Sequence, residues 1–491
     1  MKRIILILLF MYCNSSVFSQ GRNNLFMFGY NQNGNTPSDM NFQSGVPIVS
    51  SAVRPMNLNL SFANITDSLG NLLFYTNGIY IADASNNKMM NGGGLNPSGI
   101  TTSCSQIGLR LSQADMIIPK PASSNIYYLF HCTWDDGFSS IDAARYFYLT
   151  TIDMNGNGGL GEVINKNFIL KTDTFTGGTI TACKHANGRD WWVVVPGYPH
   201  PCYYVFLVTP DTILFSSKQT IGVRTISWGQ MCFSKGGTKF CSYDATTDIE
   251  IFDFDRCTGT FSNPLFIPVN DGQNGFGCAF SSDATKFYAS SWRDLYQVDL
   301  NATNIAGSLD TVAQWDSSLG LPNQTRFLMQ QLAPDDKIYV TALFPDNYLS
   351  VIDLPNNAGI SCNVIQQGIT LPGLNDQTLP NHPNYFLGPV TGSICDSLST
   401  GLSPKDKTPM DVKLSPNPAN AEVYVLYDFA YEKNGKVEIY NAWGKMIFSQ
   451  KLFWSGKQLQ IHTQNFANGI YEVRVSDTLG RSGSKKLVIT H

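Results

Sequence analysis

The chain of 491 residues is too long for one ordinary hydrophobic core, so at least two folded units, or a repeat architecture, are required. Charged residues make up only 14%, aromatics reach 12%, and Gly (42) and Pro (24) are plentiful, a balance suited to many short strands joined by tight turns. A net charge of −4 with no basic stripe excludes a nucleic-acid backbone as partner.

Taken in chain order, residues 1–19 read as a secretory signal peptide. Lys2 and Arg3 precede an apolar run from Ile4 to Tyr12, followed by small and polar residues, with cleavage expected after Ser19. The apolar run is far shorter than the ~20 residues of a membrane-spanning helix, and no later stretch approaches that length. Export permits disulfides, yet the ten cysteines left after processing form no dense framework. Cys232 and Cys278 occupy matching places in two repeats and read as small apolar fillers. No CxxC or zinc-type Cys/His spacing occurs.

From Leu25 to Pro389 one unit recurs: a turn of Asp, Gly, Ser and Asn, then an aromatic, β-prone strand. Six copies are visible, starting at Asp67, Ala122, Ala186, Phe233, Phe280 and Leu332. The last three share a downstream strand with a fixed acid, Asp253, Asp299 and Asp353, spaced 46 and 54 residues apart and expected to make a repeated structural hydrogen bond. A period near 50 residues without helical periodicity predicts an all-β fold, a six- or seven-bladed β-propeller over 25–389. Pairing of the N-terminal strand LFMFGY with C-terminal strands is expected to close the ring.

The later turns resemble those of YVTN- and WD-like propellers. The whole span resembles secreted Bacteroidetes propellers through GNLLFYTNG at Gly70, MNGGGL at Met90, IIPKPASSNIYYLF at Ile117, NGGLGEV at Asn157, ACKHANGRDWW at Ala182 and IFDFDRCTGTFSNP at Ile251. That resemblance implies fold and compartment, not a biochemical role. Residues 390–410, rich in Ser, Thr, Pro and Gly, read as a linker, and the strand runs of 411–491 predict a small immunoglobulin-like β-sandwich.

The terminal unit resembles the type A sorting domain of the type IX secretion system. The matching motifs are LSPNPAN at Leu414–Asn420, VEIYNAWGKMI at Val437–Ile447, FANGIYEVRV at Phe466–Val475 and a final KKLVI. Pro416, Asn417, Pro418, Gly444, Gly469 and Tyr471 carry the sorting signal in this reading: the prolines fix φ at the entry strand, Gly444 permits a hairpin, and Gly469 precedes the strand holding Tyr471. The resemblance implies the type IX machinery and its sortase as partners. It also implies passage through the periplasm, removal of the domain, and release or anchoring of the propeller at the outer surface.

Candidate chemistry is sparse. DMNGNG at Asp153 matches the first half of a calcium loop, with Asp153, Asn155, Asn157 and Glu162 as candidate ligands. The acid falls two residues early, and a hairpin using Asn and Gly for positive φ explains the same residues; no cofactor is assigned. His131, His185, His200 and His382 are dispersed, no nucleophile elbow or HExxH occurs, and no catalytic residue is assigned. Asp-Ser/Thr-aliphatic triplets at Asp67, Asp211, Asp310 and Asp396 resemble a Bacteroidetes O-glycosylation signal. The favoured function is a secreted or surface binding module for an extracellular glycan, peptide or envelope protein, presented on the loop face and central channel. The alternative is an extracellular propeller hydrolase or lyase whose acids come from distant blades.

Overall fold

A computed structural model describes residues 21–31, 34–134, 143–223, 229–244, 248–273, 275–319, 326–396, 411–427, 435–441, 445–452, 458–477 and 482–491. The signal peptide, Gly444 and most of the linker therefore lie outside the described residues. The chain divides into two compact units at Leu398/Ser399. It is all-β, its one α-helix spanning five residues, Gly99–Ser103, among the described residues. No helix among them is long and apolar enough to cross a membrane.

In the larger unit a three-stranded sheet (Leu25–Phe28, Ser38–Asn41, Ile48–Ser51) is followed by antiparallel meanders of four strands each. The first two meanders, Ala63–Gly93 and Asp115–Thr176, are joined into one eight-stranded sheet by a single parallel pairing of Met90 with Glu162. Four separate sheets follow, spanning Thr181–Thr220, Gly229–Ile267, Gly275–Gln314 and Phe327–Asn375. Each copy of the sequence repeat is the first turn and second strand of one meander. The three-stranded sheet lacks that unit and escapes the repeat count.

Burial explains the aromatic bias. In the Gly275–Gln314 sheet the first two strands, GFGCAF and KFYASS, are buried at every position, whereas the last, DTVAQ, is mostly exposed. A strand covered on both faces by neighbouring sheets has no solvent side, so apolar-polar alternation gives way to continuous apolar and small residues. Where first strands converge there is no room for a Cβ: one on Gly277 would lie 1.9 Å from the Leu328 carbonyl oxygen of the next sheet.

Asp253, Asp299 and Asp353 do make a repeated contact. Each carboxylate accepts from the lysine that opens the neighbouring second strand: Lys239 at 2.7 Å, Lys286 at 3.1 Å, and Lys337. Against partial desolvation, Lys239 and Asn263 hold Asp253 below the usual carboxylate range. The backbone N–H of Asn301 and then Lys286 do so for Asp299, and Lys337 with Asn363 for Asp353.

Closure of the ring departs from expectation. Leu25–Phe28 pairs with Ser38–Asn41 of its own sheet, not with C-terminal strands. The first and last sheets instead meet by packing, with Phe26, Phe28 and Met40 sharing a core with Leu349, Val351 and Leu371. The Asn35 amide bridges the seam, donating to Leu374 O (3.0 Å) and accepting from Leu374 N (2.6 Å). Packing suffices because the side chains that meet there are large and apolar.

The axis is filled by the chain itself. After the last sheet, residues 376–388 run past the first strands of several sheets. Thr378 Oγ1 donates to Asn59 O (2.7 Å), Asn381 Nδ2 to Asp115 O and Ile180 O (2.9 Å each), Tyr385 OH to Ile117 O (2.9 Å), and Asn384 Nδ2 to Lys235 O (2.7 Å). Gln230 continues the network: its Oε1 accepts from the backbone N–H of Cys278 (3.1 Å) and of Gln330 (3.0 Å) while its Nε2 donates to Gln330 O. Arg256 Nη2 then holds Gly388 O at 2.6 Å, and a Cys257–Cys395 disulfide pins the segment beyond. Among the described residues, the other cysteines are free and mostly buried; Cys232 and Cys278 lie with sulfurs 3.8 Å apart across two sheets.

The smaller unit stacks a three-stranded sheet (Val412–Ser415, Glu422–Tyr427, Gln458–His462) and a four-stranded one (Gly435–Asn441, Met446–Leu452, Gly469–Asp477, Ser482–Ile489) over a shared core of Val423, Val425, Val437, Ile439, Val473 and Leu487.

Two measurements check the axial core. Gln230→Ala strands two buried backbone N–H groups, and at about 1–3 kcal/mol for each unsatisfied group a loss of roughly 2–5 kcal/mol is expected in denaturant unfolding, with unchanged secondary structure. Asp115 is fully buried beside Ser61, and burial pushes its pKa from 3.8 up to about 7. A raised carboxyl contributes stability that is present below the unfolded pKa and lost as pH rises through the folded one. Asp115→Asn should therefore unfold later than wild type at pH 8, by up to about 4 kcal/mol, with the gap closing by pH 4.

Candidate functional site

The first strands all begin at one face of the ring, the entry face, and the Asp/Gly turns lie at the other. Residues before a first strand and in the turn between second and third strands share the entry face. There the Ala63–Gly93 meander opens a groove of about 610 Å³ lined by Asn31, Asn57, Asn77, Tyr80, Lys88 and Gln106, together with apolar and backbone contributions.

The floor is built from buried asparagines held in place. Asn57 Oδ1 accepts from Asn31 N (2.8 Å), Asn57 Nδ2 donates to Gln106 O (2.6 Å), and Asn77 Nδ2 donates to Asn57 O (2.9 Å). Asn77 Oδ1 accepts from Ile79 N (3.1 Å) across a tight turn at Gly78, whose φ of +81° and contact with Leu109 leave no place for a Cβ. Tyr80 forms one wall, with burial raising its phenol pKa, and the Lys88 ammonium sits 5.4 Å from the ring centroid. Among the described residues, no carboxylate lines the groove.

Two smaller recesses accompany it. Trp134, Arg145, Tyr146 and Tyr148 shape a shallow shelf beyond the short helix, the Arg145 guanidinium 5.6 Å from the Tyr146 ring centre. On the axis, Gln113, Gln230, Cys232, Cys278, Gln330 and Asn381 enclose about 60 Å³, room for one or two waters. The central channel expected to present a site is thus occupied by the protein's own amides. At its entry mouth Asp376 is half-buried, its pKa raised by that burial against Arg110 and a hydrogen bond from Asn59 Nδ2 (3.0 Å).

The candidate calcium residues surround one hairpin turn. Asp153 ends a strand paired with Glu162 at the start of the next, Asp153 Oδ1 accepts from Asn155 N (2.9 Å), and Asn157 has φ +49°. Among the described residues no group of three His, Cys, Asp or Glu is placed to hold a metal ion. The histidines stay apart. His131 is buried between Asn96 Oδ1 (2.7 Å) and Thr150 Oγ1 (2.9 Å), its pKa lowered by burial to about 3, and His382 lies 2.9 Å from Asn64 Oδ1. His185 Nε2 lies 3.1 Å from Cys257 O.

In the smaller unit two of the sorting-signal residues, Asn417 and Tyr471, meet the final strand, while Gly444 lies outside the described residues. Asn417 Nδ2 donates to Lys486 O (2.7 Å) and its Oδ1 accepts from Val488 N (2.9 Å), while Pro416 and Pro418 flank it. Ala419 continues the docking through Val488 O and Thr490 N. Tyr471 is buried, paired with Asn441 and Leu487, and its hydroxyl donates to Ala467 O (2.7 Å) at the turn before Gly469. The groove residues carry no sequence motif. Asn57 and Asn77 are 20 residues apart, and a run of asparagines ahead of a strand is the only trace.

A search of curated protein sequences gives no match. Among solved structures, a protein from Lactobacillus plantarum aligns over 72% of this chain and 98% of its own at 14% identity and a TM-score of 0.43. A putative 6-phosphogluconolactonase from Bacteroides uniformis aligns over 88% and 100% at 13% and 0.34. The periplasmic gluconolactonase of Pseudomonas aeruginosa aligns over 90% and 98% at 10% and 0.36. Similarities of this size carry no argument about activity. Residues 413–490 match the family described as the secretion system C-terminal sorting domain. The chain thus carries a sorting domain at its C-terminal end and is exported through type IX secretion to the cell surface or beyond.

Proposed function

We propose that the protein is an exported, non-catalytic binding module whose ligand sits in the entry-face groove. The larger unit is read as a seven-bladed β-propeller over 25–389, the smaller as an immunoglobulin-like sandwich over 411–491, and 390–410 as the joining segment. The observation that carries the binding reading is the groove itself: about 610 Å³ lined by fixed amides and an aromatic ring, without an acid or base pair. Amides offer both donors and acceptors, which suits a polyhydroxylated ligand, and an aromatic wall suits the apolar face of a sugar ring. A propeller hydrolase or lyase needs paired titratable groups at its site; around the axis Asp115 is held by Ser61, Asp376 by Asn59 and His382 by Asn64, each in a hydrogen bond of its own beside the amides that fill the channel.

The exit path supports display. Cys257 lies in a turn at the face opposite the groove, and the disulfide keeps Cys395 there. Removal of the sorting domain within 397–410 would leave that staple and the axial segment inside the propeller.

Two outcomes are expected. Screened against a panel of soluble polysaccharides, the chain should bind at least one; Ser105→Trp, at an exposed residue that also lines the groove, should cut that affinity tenfold or more without shifting the melting temperature, and Tyr80→Ala should cut it similarly with some loss of stability because the ring packs on the core; release of reducing ends or unsaturated products would overturn the reading. In cell fractionation followed by mass spectrometry, the wild type should appear outside the cell without its last 80 or so residues, whereas a truncation ending at Thr408 should accumulate in the periplasm.

A further inference from the structure

We infer that the groove selects acidic polysaccharides, recognising a carboxylate or sulfate on the sugar through Lys88 and Lys166. This rests on the groove being the ligand site and adds the class of ligand.

The two lysines come from neighbouring meanders and meet at one edge of the groove. Lys88 opens the outer strand of the Ala63–Gly93 meander, and its stem runs beside Gly93, where a Cβ would stand 3.8 Å from the ammonium. Lys166 belongs to the long outer strand Glu162–Thr176 of the next meander; its Nζ donates to Asn91 O (3.1 Å) and Gly93 O. A Cβ on Gly94, which lines the groove at φ +77°, would stand 4.0 Å from that Nζ. Both ammoniums therefore reach the same glycine-lined edge, and side chains at 93 and 94 would have screened them.

Neither lysine makes an ion pair among the described residues, while the lysines of the repeated register, Lys239, Lys286 and Lys337, each have an aspartate. In a chain with only 14% charged residues and a net charge of −4, two cations without an ion pair beside a groove whose described lining holds no carboxylate make a local positive field. Lys166 spends hydrogen bonds on two backbone carbonyls, which fixes its position and leaves its charge unneutralised. Charges at this edge are solvent-facing, so their attraction for an anion is modest per contact and falls with salt. Repeated along a polyanion, it discriminates between charged and neutral chains that offer the same hydroxyls to the groove.

The test uses the full chain without its signal peptide and three probes: polygalacturonate, a sulfated galactan and a neutral glucan. Binding is measured at 50 and 300 mM salt. Affinity for one or both polyanions should exceed that for the neutral glucan at least tenfold and fall with salt; which polyanion binds distinguishes carboxylate from sulfate. Lys88→Ala with Lys166→Met should remove most of that preference and flatten the salt dependence at an unchanged melting temperature, and Lys88→Arg should retain it. Equal binding of the neutral glucan, or full polyanion binding by the double variant, would sink the acidic-ligand inference while leaving the groove as a site. Polyanion binding that survives Ser105→Trp would place the contact outside the groove and overturn both.

Discussion

The ring depends on satisfying the polar backbone where its sheets converge. First strands crowd toward the axis, and their N–H and C=O groups at the inner ends point where no further strand can pair with them. Water could fill such a channel; here residues 376–388 and the glutamines at 113, 230 and 330 do so instead. Each net contribution is of the order of 1 kcal/mol, but an orphaned group on the axis would cost more than a single bond yields. An amide side chain carries a donor and an acceptor on one planar group, so a single Gln230 can serve two backbone N–H groups and one carbonyl from two neighbouring sheets.

Filling the axis has a functional consequence. A propeller with an open channel can collect acids from distant blades around it, but here that space is filled mainly by amide side chains and the segment 376–388. The proposed site lies instead at the entry face, where the short helix and the turns around Gly78 and Gly94 border a groove at the Ala63–Gly93 meander. The same segment that plugs the axis carries the chain to the opposite face, where Arg256 and the Cys257–Cys395 disulfide retain it. Site and exit are thereby separated by the thickness of the ring, an arrangement that suits a protein delivered through its C-terminal end.

Asp253, Asp299 and Asp353 show how much of the fold can be read from local pattern. Their equal places in successive repeats imply equal partners, and each accepts from the lysine opening the adjacent strand. Reading them as catalytic would have been reasonable from residue type alone; their register argues for structure. The hairpin at Asp153 is similar, since Asn and Gly in a turn offer oxygens and positive φ by the same residues, and Asp153 turns its oxygen to the backbone N–H of Asn155.

The amino-acid sequence by itself determined the all-β class, the repeat, the separate terminal unit and the route of export, because each is written in short-range periodicity or contiguous motifs. Tertiary structure alone decided the rest. The three-stranded first sheet has no repeat signature and closes against the last through packing of apolar faces. The Cys257–Cys395 bond joins residues 138 positions apart. The groove gathers Asn31, Asn57, Asn77, Lys88 and Gln106, with Lys166 bonded to the Gly93 carbonyl at its edge, from turns and strands that only the stacking of sheets brings within reach. Such long-range meetings leave no local mark, since nothing in a residue's sequence neighbours specifies which distant turn it will face.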